Sequence, residues 1–166
     1  MTLLQLLYLM IPAYVANMAP VIAKRLPWNY PMDFGLSIGG KRIFGDHKTW
    51  KGFIIGVSIA VIAGYIMSKT YWPFNFSALQ WSALAGAGAL LGDALKSFFK
   101  RRVGIKPGHP WIPFDEIDYS VGALALGSIV FFPGWLNAVL VIFISAIGHI
   151  AVNHTAYYLK IRDEKW

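Results

Sequence analysis

Residues 92–118 have the sequence GDALKSFFKRRVGIKPGHPWIPFDEID and lie between two long apolar segments. The stretch begins with an acid, Asp93, at a depth where a membrane helix would still be apolar. It continues with a basic face and a loop rich in Pro and Gly, and it ends with the acids Asp115 and Asp118. Charges in a membrane segment are costly unless they are paired or functional. The stretch therefore predicts a helix, a loop and a second helix that build half of a site at a membrane surface.

The composition is typical of a membrane protein rather than a soluble domain. Of the 166 residues, 57% are apolar and 14% are charged, whereas average soluble domains carry roughly 25% charged residues. The absence of cysteine excludes disulfides, thiolate metal sites and a cysteine nucleophile. Apolar segments predict an all-α polytopic membrane protein, a single domain over residues 1–166 with five transmembrane helices and two long cytoplasmic loops. The five segments are 3–23, 53–67, 78–95, 117–132 and 135–158.

The first segment predicts a retained helix, because it lacks the basic n-region of a cleaved signal. Basic residues concentrate after the first segment, after the third and in the C-terminal tail, all on one side of a five-helix arrangement, and Lys69 lies on the other side. Cytoplasmic loops are enriched in Lys and Arg. The N-terminus is therefore expected outside the cell membrane, and the loops and C-terminus inside. This distribution accounts for the net charge of +7 without a nucleic-acid partner. The basic groups are Lys24, Arg25, Lys41, Arg42, Lys48 and Lys51; Lys96, Lys100, Arg101, Arg102 and Lys106; and Lys160, Arg162 and Lys165.

The first loop contains a basic, glycine-rich motif, GDHKTWKG at residues 45–52. Glycines let backbone N–H groups approach phosphate oxygens, and Lys supplies positive charge. Thr49 is expected to cap the second helix, whose N-terminus favours an anion. For the other cations of this loop, such as Lys41 and Arg42, contact with lipid headgroups is the stronger alternative. The motif predicts a phosphate-binding role for Gly45, Asp46, Lys48, Thr49, Lys51 and Gly52.

Charged residues at the end of the third segment share one helix face. Asp93, Lys96, Ser97 and Lys100 are spaced i, i+3, i+4 and i+7. A lone carboxylate at this depth would be unfavourable by several kcal/mol, so a salt bridge to Lys96 is the structural alternative to a catalytic role for Asp93.

Two further acids, Asp115 and Asp118, are three residues apart at the start of the fourth helix. Capping of that helix by Asp115 or Glu116 is the structural alternative, but it does not account for the third acid, Asp93, at the same depth. Magnesium is commonly held by one or two carboxylates together with substrate phosphates. The three acids beside a basic surface therefore predict a Mg²⁺ site.

These residues resemble the signature of the CTP:phosphatidate cytidylyltransferase superfamily, which has the form S-x-x-K-R-x-x-x-x-K followed, after a Pro/Gly stretch, by D-R-x-D. Glu116 stands where the superfamily has arginine. The short five-helix chain, the motif at 45–52 and Leu91-Gly92-Asp93 are similar to the archaeal branch, the CDP-archaeol synthases. The residues that match the signature are Ser97, Lys100, Arg101, Lys106, Asp115 and Asp118.

The resemblance implies a reaction and a set of roles. CTP and an isoprenoid ether-lipid phosphate, 2,3-bis-O-geranylgeranyl-sn-glycerol 1-phosphate, would give a CDP-lipid and pyrophosphate at the bilayer, with Mg²⁺ as cofactor. Catalytic residues would be Asp93, Lys96, Asp115 and Asp118, with the three acids as metal ligands. The two phosphates would be bound by the 45–52 residues named above together with Ser97, Lys100, Arg101 and Lys106. The oligomeric state is left open.

Several other functions are weighed against this one. A CTP:phosphatidate cytidylyltransferase acting on ester lipids has the same polar chemistry. A transporter or channel would place charges deep in several helices and show a repeat, and here the charges collect at one face. A CDP-alcohol phosphotransferase would carry D-G-x-x-A-R…G-x-x-x-D-x-x-x-D, which the sequence lacks. A non-catalytic anchor for anionic lipids remains a further alternative.

Overall fold

Five helices form most of the computed structural model, which describes residues 1–23, 26–106, 109–158 and 160. A short antiparallel hairpin in the first loop pairs Ser37 with Arg42 and Ile38 with Lys41. The all-α prediction is confirmed, and the hairpin is an addition that apolar patterning does not reveal. The predicted loop and tail cations Lys24, Arg25, Arg162 and Lys165 lie outside the described residues. The elements are α1 (Leu3–Ala23), β1 (Ser37–Ile38), β2 (Lys41–Arg42), α2 (Trp50–Thr70), α3 (Ala78–Arg102), α4 (Phe114–Gly127) and α5 (Trp135–Tyr158).

Three helices in the described part of the chain are long and apolar enough to cross a membrane: Leu3–Pro20, Trp50–Thr70 and Trp135–Thr155. Helix α3 has 25 residues but carries charged side chains in its C-terminal third. Helix α4 has 14 residues, or about 21 Å at 1.5 Å per residue, which is shorter than a hydrocarbon core of about 30 Å. The membrane character predicted from composition is therefore supported, and the count of five spans stays a prediction.

Helix α4 differs in position from the apolar segment that predicted it. It begins at Phe114 and ends at Gly127, rather than covering 117–132. The backbone N–H of Ser128 donates to the carbonyl of Leu124 at 2.9 Å, and a turn follows. Residues 128–132 are as apolar as the helix itself, so hydropathy cannot locate its end.

Glycines bring α3 and α4 into backbone contact. A Cβ added to Gly122 would lie 2.1 Å from the carbonyl oxygen of Gly88, and one added to Gly92 would lie 2.3 Å from the carbonyl oxygen of Asp118. Small residues allow this approach between membrane helices, and Gly88, Gly92 and Gly122 supply them at this contact. Because Gly92 precedes Asp93, the closest approach of the two helices lies beside the predicted acids.

We expect Gly122→Ala to destabilise the protein by about 1–3 kcal/mol, because the added methyl group would push α3 and α4 apart. Gly148→Ala is the matched control: it lies in α5, and a Cβ there meets no atom within 4 Å, so it should be neutral or stabilising by up to about 1 kcal/mol. Thermal unfolding in detergent measures both. Equal melting temperatures for the two variants would contradict the close packing of α3 and α4.

Candidate active site

One ammonium group lies among the three predicted carboxylates. The Nζ atom of Lys96 is 3.1 Å from Asp93 Oδ1, 2.9 Å from Asp115 Oδ1 and 2.6 Å from Asp118 Oδ2. Lys96 and Asp93 come from α3, and the two other acids come from the first turns of α4. The side chain of Asp118 is only 7% exposed. The structure thus brings together the acids that the sequence predicts, and we call Lys96 with these three acids the carboxylate cluster.

The first loop reaches the same cluster through Lys48. Its Nζ donates to Asp93 Oδ2, so Asp93 is held by one lysine from its own helix and one from the loop before α2. Lys48 lies one residue before Thr49, whose hydroxyl caps α2 by accepting from the Gly52 N–H at 3.3 Å. The predicted cap is therefore confirmed, and it fixes the direction in which the loop enters the helix.

The second loop is attached to the cluster through Lys100. Its Nζ donates to Asp115 Oδ1 and Oδ2 at 3.1 and 3.0 Å and to the carbonyl of His109 at 2.5 Å. The N–H of Trp111 donates to Asp115 Oδ2 at 2.5 Å. Asp115 therefore orders the loop before α4 as well as facing Lys96.

A basic cleft of about 300 Å³ lies between the two loops. Its lining includes Arg101, near the end of α3, and Lys106, in the second loop. Gly45 and Asp46 of the first loop complete it on the other side. Its positive charge and its size suit a polyphosphate. The remaining lining residues, Lys41, Arg42, His47, Gly104 and Ile105, include two cations that sequence reasoning favoured as lipid contacts.

Asp33 organises the first loop, a role that sequence reasoning did not find. Its carboxylate accepts hydrogen bonds from the N–H groups of Gly35, Phe44 and Gly45 at 3.1, 2.9 and 3.0 Å. It also pairs with Arg42 at 2.5 Å, and its side chain is fully buried. The one local signal is the Asp-x-Gly spacing, which favours a turn closed by the Asp side chain and accounts for the bond to Gly35 only. Asp33 thereby shapes the wall of the basic cleft formed by residues 42–46.

The pKa of Asp33 is shifted by two opposing effects. Burial raises it, but the bonds from Arg42 and from the three backbone N–H groups outweigh burial and hold the pKa well below the ordinary value of 3.8. A carboxyl whose pKa is lowered by folding stabilises the folded state above its unfolded pKa. That stabilisation is lost as the pH falls below about 4 and through the folded-state pKa.

Asp33→Asn should therefore lower the melting temperature by roughly 5 °C at pH 7. The difference from wild type should shrink as the pH falls from 4 towards 2, because the carboxyl of Asp33 becomes protonated in the unfolded wild type over this range and the unfolded state is stabilised. Thermal melts of both proteins across this range provide the test. A constant difference at every pH would show that the charge of Asp33 does not matter.

Other predicted site residues lie apart from the cluster. Lys51 is buried and its Nζ donates to the carbonyl of Leu26 at 2.8 Å. The hydroxyl of Ser97 donates to the carbonyl of Asp93 at 3.0 Å, within α3. Asp46 pairs with Arg42 at 2.6 Å, and its side chain is 75% exposed. Gly52 packs at the start of α2, where a Cβ would lie 3.4 Å from Pro20. Lys51 and Ser97 thus have backbone partners, whereas Gly52 lines a small cavity of about 40 Å³ together with Lys48 and Asp93.

Glu116, the residue that departs from the superfamily signature, faces away from the cluster. It is 4% exposed, and its Oε2 lies 2.9 Å from His149 Nδ1 in α5. The hydroxyl of Tyr119 donates to the carbonyl of Ser145 at 2.9 Å. These contacts hold α5 against the helix that carries Asp115 and Asp118.

The donor set fits a hard divalent cation in chemistry, because all three acids offer oxygen ligands around one point. Lys96 occupies that point, and within the described residues no group of three His, Cys, Asp or Glu side chains is already arranged to hold a metal. A cation would therefore bind there only if the Lys96 ammonium moved towards another anion.

The fold is a helical domain with membrane-spanning segments, and it contains a buried carboxylate–lysine cluster beside a basic cleft. Together these features define a membrane-embedded enzyme for phosphorylated substrates. The chain belongs to the CDP-archaeol synthase family, since the family model described as CarS-like, CDP-archaeol synthase, matches residues 1–166.

Individual relatives cover nearly the whole chain. The CDP-archaeol synthase of Thermofilum pendens is 40% identical over 162 residues, which is 94% of this chain and 78% of that protein. That of Pyrobaculum aerophilum is 38% identical over 157 residues, 93% of each chain. A solved structure of an intramembrane enzyme for archaeal membrane lipid biosynthesis is similar with a TM-score of 0.80 and 32% identity, over 92% of this chain and 94% of the other. The family resemblance seen in the sequence is confirmed.

Proposed function

We propose that the chain transfers CMP from CTP to the phosphate of 2,3-bis-O-geranylgeranyl-sn-glycerol 1-phosphate, giving a CDP-lipid and pyrophosphate. Membership of the CDP-archaeol synthase family supports this reaction. The observation that carries it is the meeting of Lys48, Asp93, Lys96, Asp115 and Asp118 from three separate segments beside a basic cleft. A phosphate monoester and a nucleoside triphosphate are both strongly anionic, so a site that joins them needs the positive charge of lysines and of a cation held by the carboxylates.

The active face is proposed to lie at the cytoplasmic side, with the N-terminus outside and five helices in the bilayer. The concentration of Lys and Arg in the two loops supports this orientation. Helix α4 would be a shorter, partly buried span packed against α3, since Tyr119, Ser120 and Ala123 are buried. The isoprenoid chains would remain in the hydrocarbon region while the lipid phosphate meets CTP at the headgroup level.

The bond change is a substitution at phosphorus. An oxygen of the lipid phosphate attacks the α-phosphorus of CTP, a P–O bond forms, and the bond from the α-phosphorus to the bridging oxygen breaks so that pyrophosphate leaves. A phosphate monoester has a second pKa near 6 and is mostly dianionic at neutral pH. The chain therefore needs to supply no nucleophile and no strong general base. Its task is to position two polyanions and reduce their repulsion.

Positive charge is supplied from two places. Lys48, Lys96 and Lys100 face the carboxylates, where they can hold phosphate oxygens next to the reacting phosphorus. Arg101 and Lys106 line the basic cleft with Gly45 and Asp46, and we assign this cleft to the triphosphate of CTP. Thr49 orients Lys48 through the cap of α2.

Asp93, Asp115 and Asp118 are proposed to hold Mg²⁺, with Lys96 then turned towards a substrate phosphate. When bound, the metal would neutralise charge on the phosphates and on the leaving pyrophosphate. The protein's own contribution is to fix the three carboxylates from two closely packed helices at one point.

The reaction is tested with purified protein, radiolabelled CTP, Mg²⁺ and a panel of ether- and ester-linked lipid phosphates. We expect label in the lipid fraction, with stoichiometric pyrophosphate release, and the highest kcat/KM with the geranylgeranyl ether phosphate. Faster turnover of phosphatidate would favour the ester-lipid cytidylyltransferase instead. Absence of label with every lipid would favour a transporter or a non-catalytic anchor.

Lys48→Met should lower kcat/KM by about 10- to 100-fold, because one charge-assisted contact near the reacting phosphates is lost. Lys69→Met is the matched control, since Lys69 lies in the last turn of the same helix that Lys48 precedes. It should retain wild-type kinetics. Equal activity of the two variants would remove Lys48 from the active site.

A further inference from the structure

Six apolar side chains of the first loop are exposed on the protein surface. Their exposed fractions range from 38% for Trp28 to 72% for Phe34. Neither the carboxylate cluster nor the basic cleft uses them. We call this set the aromatic patch, and its members are Leu26, Trp28, Tyr30, Phe34, Leu36 and Ile38.

Backbone hydrogen bonds hold this patch beside the N-terminus of α2. The N–H of Trp50 donates to the carbonyl of Tyr30 at 3.0 Å, and the N–H of Met32 donates to the carbonyl of Lys48 at 2.7 Å. The rings of Phe34 and Trp50 lie 6.0 Å apart. Trp50 is the first residue of the apolar stretch Trp50–Thr70, which is long enough to cross a membrane. The aromatic patch is therefore continuous with the end of a membrane-spanning segment.

The chemistry of the patch matches the boundary between lipid and water. Trp and Tyr are enriched at this level because an apolar ring can enter the bilayer while the N–H or O–H stays hydrated. An exposed apolar surface of this kind is unfavourable in water and marks a binding surface. The N–H of Ile43 donates to the carbonyl of Leu36 at 3.1 Å, in register with the pairing of Ser37 and Ile38. Because side chains alternate along extended backbone, we expect Leu36 and Ile38 on one side of this segment and Ser37 on the other.

We propose that the first loop lies on the bilayer surface, with the aromatic patch inserted among the lipid headgroups. The partner is the membrane itself, and the loop is an interfacial anchor in addition to the helices. Such an anchor holds Lys48, which is hydrogen-bonded through its backbone to Met32, at headgroup depth. The consequence is that a lipid phosphate can reach Lys48 and the carboxylate cluster without rising out of the bilayer.

The sequence offers a direct test because it contains no cysteine. Single cysteines are introduced at Tyr30 and at Leu36, labelled with a nitroxide, and reconstituted in vesicles of phosphatidylcholine and phosphatidylglycerol. Ser37→Cys is the matched control, since it is one residue from Leu36 in the same extended segment and is expected on the opposite side. Trp28→Cys replaces any patch variant whose melting temperature or expression departs from wild type. Power-saturation spectroscopy then compares collisions with oxygen, which concentrates in lipid, and with a water-soluble nickel chelate.

We expect the labels at Tyr30 and Leu36 to be at least threefold more accessible to oxygen than to the nickel chelate, with the reverse ratio at Ser37. Equal nickel access at all three positions would overturn the proposal, because the patch would then face water. Protection of the patch from both reagents, accompanied by cross-linking between two copies through the introduced cysteines, would also overturn it and identify a protein interface. Neither result depends on which lipid phosphate the enzyme uses.

Discussion

Asp93→Asn is expected to reduce kcat by about 10²- to 10³-fold, which is the range for losing one electrostatic contact to a reacting group. Asp93 accepts from Lys48 and lies 3.1 Å from Lys96 Nζ, so it is the acid that connects the first loop to the carboxylate cluster. Asn keeps the shape but removes the charge that orients both lysines and that would hold a metal. Single-turnover kinetics with labelled CTP separates this loss from weaker substrate binding.

The Asp93→Asn protein should still insert into the membrane and bind to detergent as a folded species, because its helix keeps the same apolar face. Its melting temperature and expression level are therefore measured alongside its activity. Asp93→Glu, which restores the charge, should recover part of the lost rate. Wild-type turnover in Asp93→Asn would exclude Asp93 from the reaction, whatever the behaviour of the other acids.

Removal of divalent cations should abolish turnover, and added Mg²⁺ should restore it. The physical reason is charge balance within the carboxylate cluster. Lys48, Lys96 and Lys100 face Asp93, Asp115 and Asp118, so three lysines are balanced by three carboxylates. The cluster alone therefore leaves no surplus positive charge for the phosphates of two substrates, which repel each other strongly at close range.

The chelation experiment uses EDTA, followed by titration with Mg²⁺ above the chelator concentration. Asp118→Asn should raise the Mg²⁺ concentration for half-maximal rate by about 10- to 100-fold, the range for weakening a metal site by one contact. Glu116→Gln is the control: it removes a buried carboxylate of the same helix that contacts His149 and not the cluster, and it should leave this concentration unchanged. Full activity in the presence of excess EDTA would show that Lys and Arg side chains alone offset the substrate charge.

The spacing of residues along α3 predicted which of them share a face, because a helix has a fixed period. Asp93, Lys96 and Lys100 share a face for that reason alone, and the structure pairs Lys96 with Asp93 and Lys100 with Asp115. The same reasoning placed Asp115 and Asp118 on one side of α4. It did not predict that one ammonium group would contact all three carboxylates, because that depends on the close approach of α3 and α4 at Gly88, Gly92 and Gly122.

The first loop was predicted less well, because its conformation is set by contacts that have no period. Lys48 and Lys51 looked equivalent in the motif at 45–52, yet Lys48 bonds Asp93 and Lys51 bonds the carbonyl of Leu26. Lys48 lies before the cap Thr49 in non-helical backbone, whereas Lys51 lies in the first turn of α2, so the helical period does not relate the directions of their side chains. Asp33 lies outside the motif at 45–52, and its bonds to residues 35, 42, 44 and 45 appear only when the loop is folded.

The sequence by itself determined the membrane character, the helical class and the family, along with the acids and bases that we propose carry the chemistry. Composition and helical period are properties of the chain, and they survive any rearrangement of the segments. The tertiary structure alone decided which lysine meets which carboxylate, where α4 ends and which face of the first loop is apolar. These features arise when segments distant in the sequence come within a few ångströms of each other. A local pattern of residues does not predict such contacts.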